Sequence, residues 1–506
     1  MGVFVLAAFG LWLAPVKPVL LWTDLLIYIL LFTVVSFFSY VRSKPHLMAP
    51  WRQVMQRPLA MTALVILSGY VLVGLLDSVH FRLELPSQNV VQHALQETTQ
   101  DSLQKAAVTT ATEQHYSVEV LSLLDVLANP IRKRVEKSYS APLATQLFSK
   151  DMVEQADGST LRIYPRLLFG GVHLQDPDTQ HFSDIMQRAV SGVFIALIAW
   201  LIVVAMAVAC LAQKHKVSFA IQGRLILDGK AGLPWRAMFA TVAALLFLAA
   251  MVFKLGIDYH LLGTDKVGND VLFLSFKSIR TGLVIGTLTT LIMLPFAIFF
   301  GIMAGHFRGW IDDVIQYVYT TLNSIPGVLL IAAAILSVNL FITNNPEIFE
   351  TIIERADIRL LFLCLILGIT SWTGLCRLLR GETLKLRELD YIQAAKAFGV
   401  SDMKIISRHI LPNVMHIVLI VVVLDFSGLV LAEAVLSYVG VGVDPSMVSW
   451  GNMINSARLE MAREPVVWWS LIAAFWFMFV LVLAANLFSD AVRDAFDPRV
   501  GLVNKD

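Results

Sequence analysis

The sequence predicts an all-α membrane protein: a polytopic transmembrane helical bundle of about nine spans, with a small external domain inserted between the second and third. Three observations predict it. The composition is 57% hydrophobic and 15% charged, with a mean hydropathy of +0.70, whereas a soluble domain carries about 25% charged residues. Apolar runs of bilayer-crossing length, about 20 residues, recur along the chain. Short loops rich in Lys and Arg alternate with loops that are not, as loops on opposite sides of a membrane do.

The runs fall near Leu20–Tyr40, Leu59–Leu76, Val190–Leu211, Ala237–Phe253, Leu283–Ala304, Val314–Val338, Leu360–Leu375, Val414–Leu436 and Val467–Leu487. Four regions follow: 1–76 with two spans, 77–188 as the external domain, 189–256 with two further spans, and 257–506 as the core. The opening MGVFVLAAFGLWLAP is apolar but short and interrupted by Pro15. It reads as a re-entrant or interfacial piece, or as part of the first span. It lacks the basic start and small-residue cleavage site of a signal peptide.

Positive charge sets the expected orientation. Arg42, Lys44, Arg52 and Arg57 follow the first run, Lys214, Lys216, Arg224, Lys230 and Arg236 the third, and Arg377, Arg380, Lys385, Arg387, Lys396, Lys404 and Arg408 the seventh. Cytosolic placement of all three loops puts the N-terminus outside and the C-terminus in the cytoplasm. Residues 77–188 are then external, long enough for a small core. Within them Val118–Leu127 reads as an amphipathic helix. Asp157-Gly158 marks a turn beside a strand at Leu161-Arg162-Ile163-Tyr164, a hairpin pattern.

Composition and motifs exclude several functions. A net charge of +1 gives no reason to expect a nucleic-acid partner. Cys210, Cys364 and Cys376 all fall in apolar segments and suggest neither a disulfide nor a metal site. Gly263–Gly268 has the G-x-x-x-x-G spacing of a phosphate loop, but Asn269-Asp270 follows instead of Lys-Ser/Thr, so no nucleotide site is expected. Asp265 and Asp270 read as turn-stabilising acids, with cation binding as the alternative. Asp425 and Glu433 are acids in or near the eighth run, eight residues and about two helical turns apart. They are candidates for a transport path or for bundle-facing hydrogen bonding. His306, His409 and His416 lack the spacing of haem or zinc ligands. No paired catalytic groups at one depth mark an enzyme, and the polar tail after Ser489 is too short for the output module of a membrane sensor.

The most informative stretch is DYIQAAKAFGVSDMKIISRHILPN, Asp390 to Asn413. It reads as two short helices broken at Gly399, where a left-handed conformation ends the first without a Cβ penalty. Ile392, Ala395 and Phe398 recur at helical spacing beside the small Ala394. Ser401 suits a cap, Ile405, Ile406 and Ile410 share a face, and Pro412 suits the start of the next span. From residues alone this is a docking surface or a loop that ties two spans together.

Ala394-Ala395, Gly399 and Ile410-Leu411-Pro412 resemble the Glu-Ala-Ala loop of ABC importer permeases, with Gln393 in place of the Glu. Further segments resemble the C-type permease subunits of the dipeptide/oligopeptide importers: LLGTDKVGNDVL (Leu261–Leu272), SIRTGLVIG (Ser278–Gly286), FFGIMAGHFRGWIDD (Phe299–Asp313), Asn323-Ser324-Ile325-Pro326, LAEAVLSYVGVGVDPSMVSWG (Leu431–Gly451) and SDAVRDAFDPR (Ser489–Arg499). The resemblance covers about Asp258 to Arg499, with PWRQVMQRPLA (Pro50–Ala60) as an N-terminal echo. The family normally has six spans, so the extra spans and the external domain are insertions; Ser278 and Arg308 also stand where it usually has Gly.

The resemblance implies a permease subunit rather than an enzyme, for peptides or, alternatively, another small solute such as a metal chelate. It implies a second permease, two ATPase subunits that use ATP and Mg, an extracytoplasmic substrate-binding protein and a bacterial inner-membrane setting. The chain itself would bind no cofactor. The ATPase-coupling loop would comprise Gln393, Ala394, Ala395, Phe398, Gly399, Ile410, Leu411 and Pro412. The path would draw on Asn323, Ser324, Pro326, Asp425 and Glu433, and Gly263, Thr264, Asp265, Gly268 and Asp270 would form an external gate segment.

Overall fold

The computed structural model describes residues 16–84, 116–117, 119–154, 160–345 and 351–496. The N-terminal apolar piece and the Asp157-Gly158 turn lie outside the described residues. In chain order the elements are β1 (Val16–Val19), α1 (Trp22–Arg42), α2 (Pro45–Gln56), α3 (Pro58–Asp77), β2 (His80–Leu83), β3 (Leu121–Ser122), α4 (Leu123–Leu127), α5 (Asn129–Arg132), β4 (Asp151–Glu154) and β5 (Thr160–Ile163). Then come α6 (Pro177–His215), α7 (Phe219–Leu227), α8 (Trp235–Leu255), α9 (Val271–Phe307), α10 (Trp310–Ser324), α11 (Gly327–Asn344), α12 (Ile352–Ser371), α13 (Thr373–Arg387), α14 (Asp390–Ala397), α15 (Asp402–Ile405), a π turn (Ile406–Ile410), α16 (Leu411–Tyr438), α17 (Trp450–Glu460) and α18 (Trp469–Phe496). Among the described residues nine helical runs are long and apolar enough to cross a membrane: α1, α3, α6, α8, α9, α11, α12 with α13, α15 through α16, and α18.

The structure corrects two expectations. The sixth run is not continuous from Val314. Ile325 is extended (φ −89°, ψ 129°) and Pro326 caps α11, so the span is Gly327–Asn344 and α10 is a separate amphipathic helix. The pyrrolidine ring of Pro326 disfavours helical geometry at the preceding residue. Of Val118–Leu127, the described residues are likewise helical only from Leu123. Ser122 accepts from the Asp125 amide and Asp125 from the Ser122 amide, a capping box that starts α4 there.

One side of the bundle, here the insert side, carries the described residues between α3 and α6; the other, the loop side, carries Asp390–Asn413. On the insert side β1, before α1, pairs antiparallel with β2, after α3, and β2 pairs with β3. That sheet ties the ends of the first two spans together. β4 and β5 form a hairpin, Asp151↔Ile163 to Glu154↔Thr160. α6 and α8 pack on each other outside the core, where the Trp200 indole donates to the Phe239 carbonyl at 2.9 Å.

α9 is the central helix. Its middle, with Val284, Ile285 and Leu288, packs on Leu360, Leu363 and Leu367 of α12. Nearer the loop side, a Cβ on Gly301 would sit 2.8 Å from the Leu379 Cβ, and one on Gly305 2.6 Å from the Thr383 Cβ. This small-xxx-small pair lets α9 and α13 approach closely, as helices without a hydrophobic driving force between them require.

Candidate functional site

On the loop side, α14 ends at Gly399, whose φ is +73°, and α15, the π turn and α16 follow. Burial divides the segment cleanly. Ile392, Ile405 and Ile410 are fully buried in a cluster with Leu375, Cys376, Leu379 and Val414. Ala395, Val400, Ile406 and Leu411 pack on its edge. Gln393, Ala394 and Gly399 face solvent, and Phe398 is 88% exposed. A Cβ at Gly399 would meet no atom within 4 Å, so that position is open and its constraint is purely conformational. Ser401 stands at the N-cap of α15 without a side-chain cap bond, and Pro412 lies in the first turn of α16.

Polar contacts hold this surface to the bundle. His306 Nε2 lies 2.8 Å from Asp402 Oδ1, Arg387 donates to the His306 carbonyl at 2.7 Å, and Arg308 pairs with Glu388 at 2.7 Å. Arg380 forms a bidentate pair with Asp312 at 2.6 and 2.7 Å, whose hydrogen bonds hold the Asp312 carboxyl below its ordinary range. The Gln393 amide donates to the Arg387 carbonyl at 3.1 Å, a bond that an ionised Glu there could not make.

The candidate path residues do not gather. Asn323 accepts from Thr373 at 3.1 Å at the end of α10, Ser324 donates to the Thr321 carbonyl at 2.7 Å, and Pro326 is exposed at the start of α11. Asp425 is half-buried in α16. Glu433 is buried against Ser437, which donates to it at 2.8 Å, and against Gly451. Its contacts are those of a bundle-facing acceptor.

On the insert side the candidate gate segment is one compact turn. Thr264 donates to the Ser138 carbonyl at 2.8 Å and accepts from the Ser140 amide at 2.6 Å. Asp265 accepts from the Val267 and Asn269 amides at 2.9 and 2.8 Å. Gly263 and Gly268 have φ of +70° and +86°, and a Cβ on Gly268 would lie 1.8 Å from the Glu136 carbonyl oxygen. Asp270 caps α9 through the Leu272 amide at 2.9 Å. No cation ligation is needed to explain these acids.

Two residues that sequence reasoning missed complete this latch. His260 lies between Asp270, 2.7 Å from Nδ1, and Glu136, 3.4 Å from Nε2. Glu136 also accepts from the Leu168, Phe169 and Gly170 amides. Burial alone would lower the His260 pKa, but the two carboxylates overcome it and push it up to about 9. A raised folded pKa stabilises fully below the unfolded value of about 6.5 and loses that stabilisation as pH climbs through the folded value. The thermal midpoint of the purified chain is therefore expected to fall from about pH 7 to about pH 10, and His260→Gln to remove that part of the decline. Equal pH slopes for the two proteins would refute the charged latch.

The described residues define a polytopic helical membrane protein with a solvent-facing surface at Asp390–Asn413. The chain belongs to the binding-protein-dependent transport system inner membrane component family, whose model matches residues 297–502. The glutathione transport system permease protein GsiD of Pectobacterium atrosepticum is 31% identical over 241 residues, 48% of this chain and 73% of that protein. The oligopeptide transport system permease protein OppC of Haemophilus influenzae is 32% identical over 48% of this chain and 71% of its own. OppC of Mycobacterium tuberculosis is 31% identical over 52% and 90%. The inward-facing methionine ABC transporter MetNI matches at a TM-score of 0.31 and 17% identity over 43% of this chain, too distant to bear on the fold.

Proposed function

We propose that this chain is the permease subunit of an ATP-driven importer that moves peptides, delivered by an extracytoplasmic binding protein, across the bacterial inner membrane. The observation that carries the reading is the loop-side surface, where Ile392 and Ile405 anchor α14 and α15 while Phe398 projects almost fully exposed. An exposed aromatic on a rigidly seated helix is a docking anchor. Its partner is an ATPase subunit that uses ATP and Mg, two copies serving this chain and a second permease. Closure of the ATPases pulls α14 and, through Ile392 and the His306–Asp402 contact, α9 and α13 with it. The spans then rock between two accessible states. Peptide cargo is favoured because the relatives are named for oligopeptide, dipeptide and glutathione transport.

The loop side is cytoplasmic and the insert side external, following the Lys and Arg loops. Residues 77–188 are then external, the spans beside them meet membrane lipid, and this segment is the surface assigned to receive the binding protein. Affinity purification of the full chain from its native membrane is expected to retain two ATPase subunits and a second permease. A chain that purifies intact and alone under conditions that preserve a known importer would overturn the reading.

A further inference from the structure

A cavity of about 170 Å³ opens on the insert side where α1, α3, α9 and α12 end. Its polar wall is Asp77, His80, Lys277, Arg280 and Asp357, and its apolar wall includes Leu21, Val120, Ile353, Ala356, Met447 and Val448. It lies at the seam between the N-terminal region and the core, away from the loop-side surface and from the α10–α11 break. A liquid-like water occupies about 30 Å³, so the space is several waters large.

The acids around it share few donors, and one of their oxygens has none. Asp24, Asp77, Asp125 and Asp357 are all buried. Arg280 lies 2.6 Å from Asp24 and 3.6 Å from Asp357, and Lys277 2.5 Å from Asp125 and 3.6 Å from Asp77. His80 lies 2.8 Å from Asp24. Four carboxyl groups thus share two fixed cations and His80. The flanking Arg82–Glu354 and Arg132–Glu119 pairs are each internally balanced. Asp77 Oδ1 is buried and accepts no hydrogen bond, with Lys277 only a distant neighbour at 3.6 Å. A buried carboxylate oxygen without a donor is costly.

We propose that this cavity binds the primary ammonium group of a small amine, seated on Asp77. An ammonium supplies the N–H donors that Asp77 Oδ1 lacks, together with a positive charge beside that carboxylate. The apolar wall takes the carbon body, and Lys277, which reaches solvent, faces any anionic end such as a carboxylate or phosphate. The source is either a soluble amine or the ethanolamine headgroup of a lipid, because the site opens where the spans leave the membrane. A bare metal ion fits less well, since the described residues place no three His, Cys, Asp or Glu ligands around one point.

The test uses the purified full chain in phosphatidylcholine nanodiscs, titrated with ethanolamine, with choline and potassium at equal ionic strength as comparisons. A saturable rise in thermal midpoint with ethanolamine alone is expected, because choline has no N–H to donate. Asp77→Asn should abolish the rise. Ala356→Leu, which fills the cavity without touching a charge, should do the same and keeps the test open should Asp77→Asn fail to fold. Nanodiscs containing phosphatidylethanolamine separate the sources. A raised baseline with no further response to ethanolamine assigns the lipid, and a persisting response assigns the soluble amine. No response to either source, a rise shared by choline, or a rise retained in both variants overturns the proposal.

Discussion

Ala394→Arg is expected to lower uptake at least about tenfold in reconstituted vesicles, while the chain inserts and accumulates normally. Ala394 is exposed on α14, one helical turn from Phe398, so an arginine there has solvent to project into. The effect must arise at a partner's surface, where a bulky, strongly hydrated side chain blocks close approach. Central interface residues often carry 2 kcal/mol or more, roughly a thirtyfold change in affinity, so a tenfold loss is a modest demand. Gly399→Val tests the same loop by another route. Its Cβ would meet nothing within 4 Å, so the penalty is the φ of +73° alone, about 1–2 kcal/mol for an L residue. That shifts the angle between α14 and α15 without emptying the core beneath. Wild-type uptake in both variants, with the complex assembled, would remove the docking assignment.

The contrast with the rest of the chain shows what a sequence can carry. The local structure of the loop was legible because its information is local: Ile392, Gly399, Ile405 and Ile410 sit within twenty residues, and their spacing fixes the helix break and the buried face. Span positions were legible for the same reason, apolar length being a local property. Hydropathy alone misplaces the sixth span because apolar character continues across Ile325-Pro326 while the helix does not. The latch and the charge cluster were illegible because their partners are far apart in sequence. His260 meets Glu136 across 124 residues, and Arg280 meets Asp24 across 256. A signal did exist for the second. Arg280 stands three residues before the expected fifth run at Leu283, and a charge beside a span demands a partner even when the sequence does not say which. For Glu136 and His260, in polar segments, no comparable signal existed.

Arg280→Met is expected to be the most damaging single change to the fold. The guanidinium is buried, donates to Asp24 and Thr23, and lies 3.6 Å from Asp357, so one side chain of α9 holds α1 and α12 together. Thr23 in turn donates its amide to Asp357 at 3.1 Å, closing a ring of contacts at the insert ends of three helices. Methionine matches the aliphatic stem but leaves two buried carboxylates without their cation. Breaking one side of a buried pair costs about 3–5 kcal/mol, whereas removing both sides is often close to neutral. A loss of that size is a large fraction of a typical 5–15 kcal/mol stability. The thermal midpoint of the purified chain, and the fraction extracted in folded form, should therefore both fall sharply for Arg280→Met. Adding Asp24→Asn and Asp357→Asn to the same chain should recover most of the loss, because the remaining amides need no counter-charge. Additive losses across the triple variant would show instead that Arg280 acts by shape rather than charge, and a midpoint unchanged in Arg280→Met alone would mean that these helix ends are not held by the cluster at all.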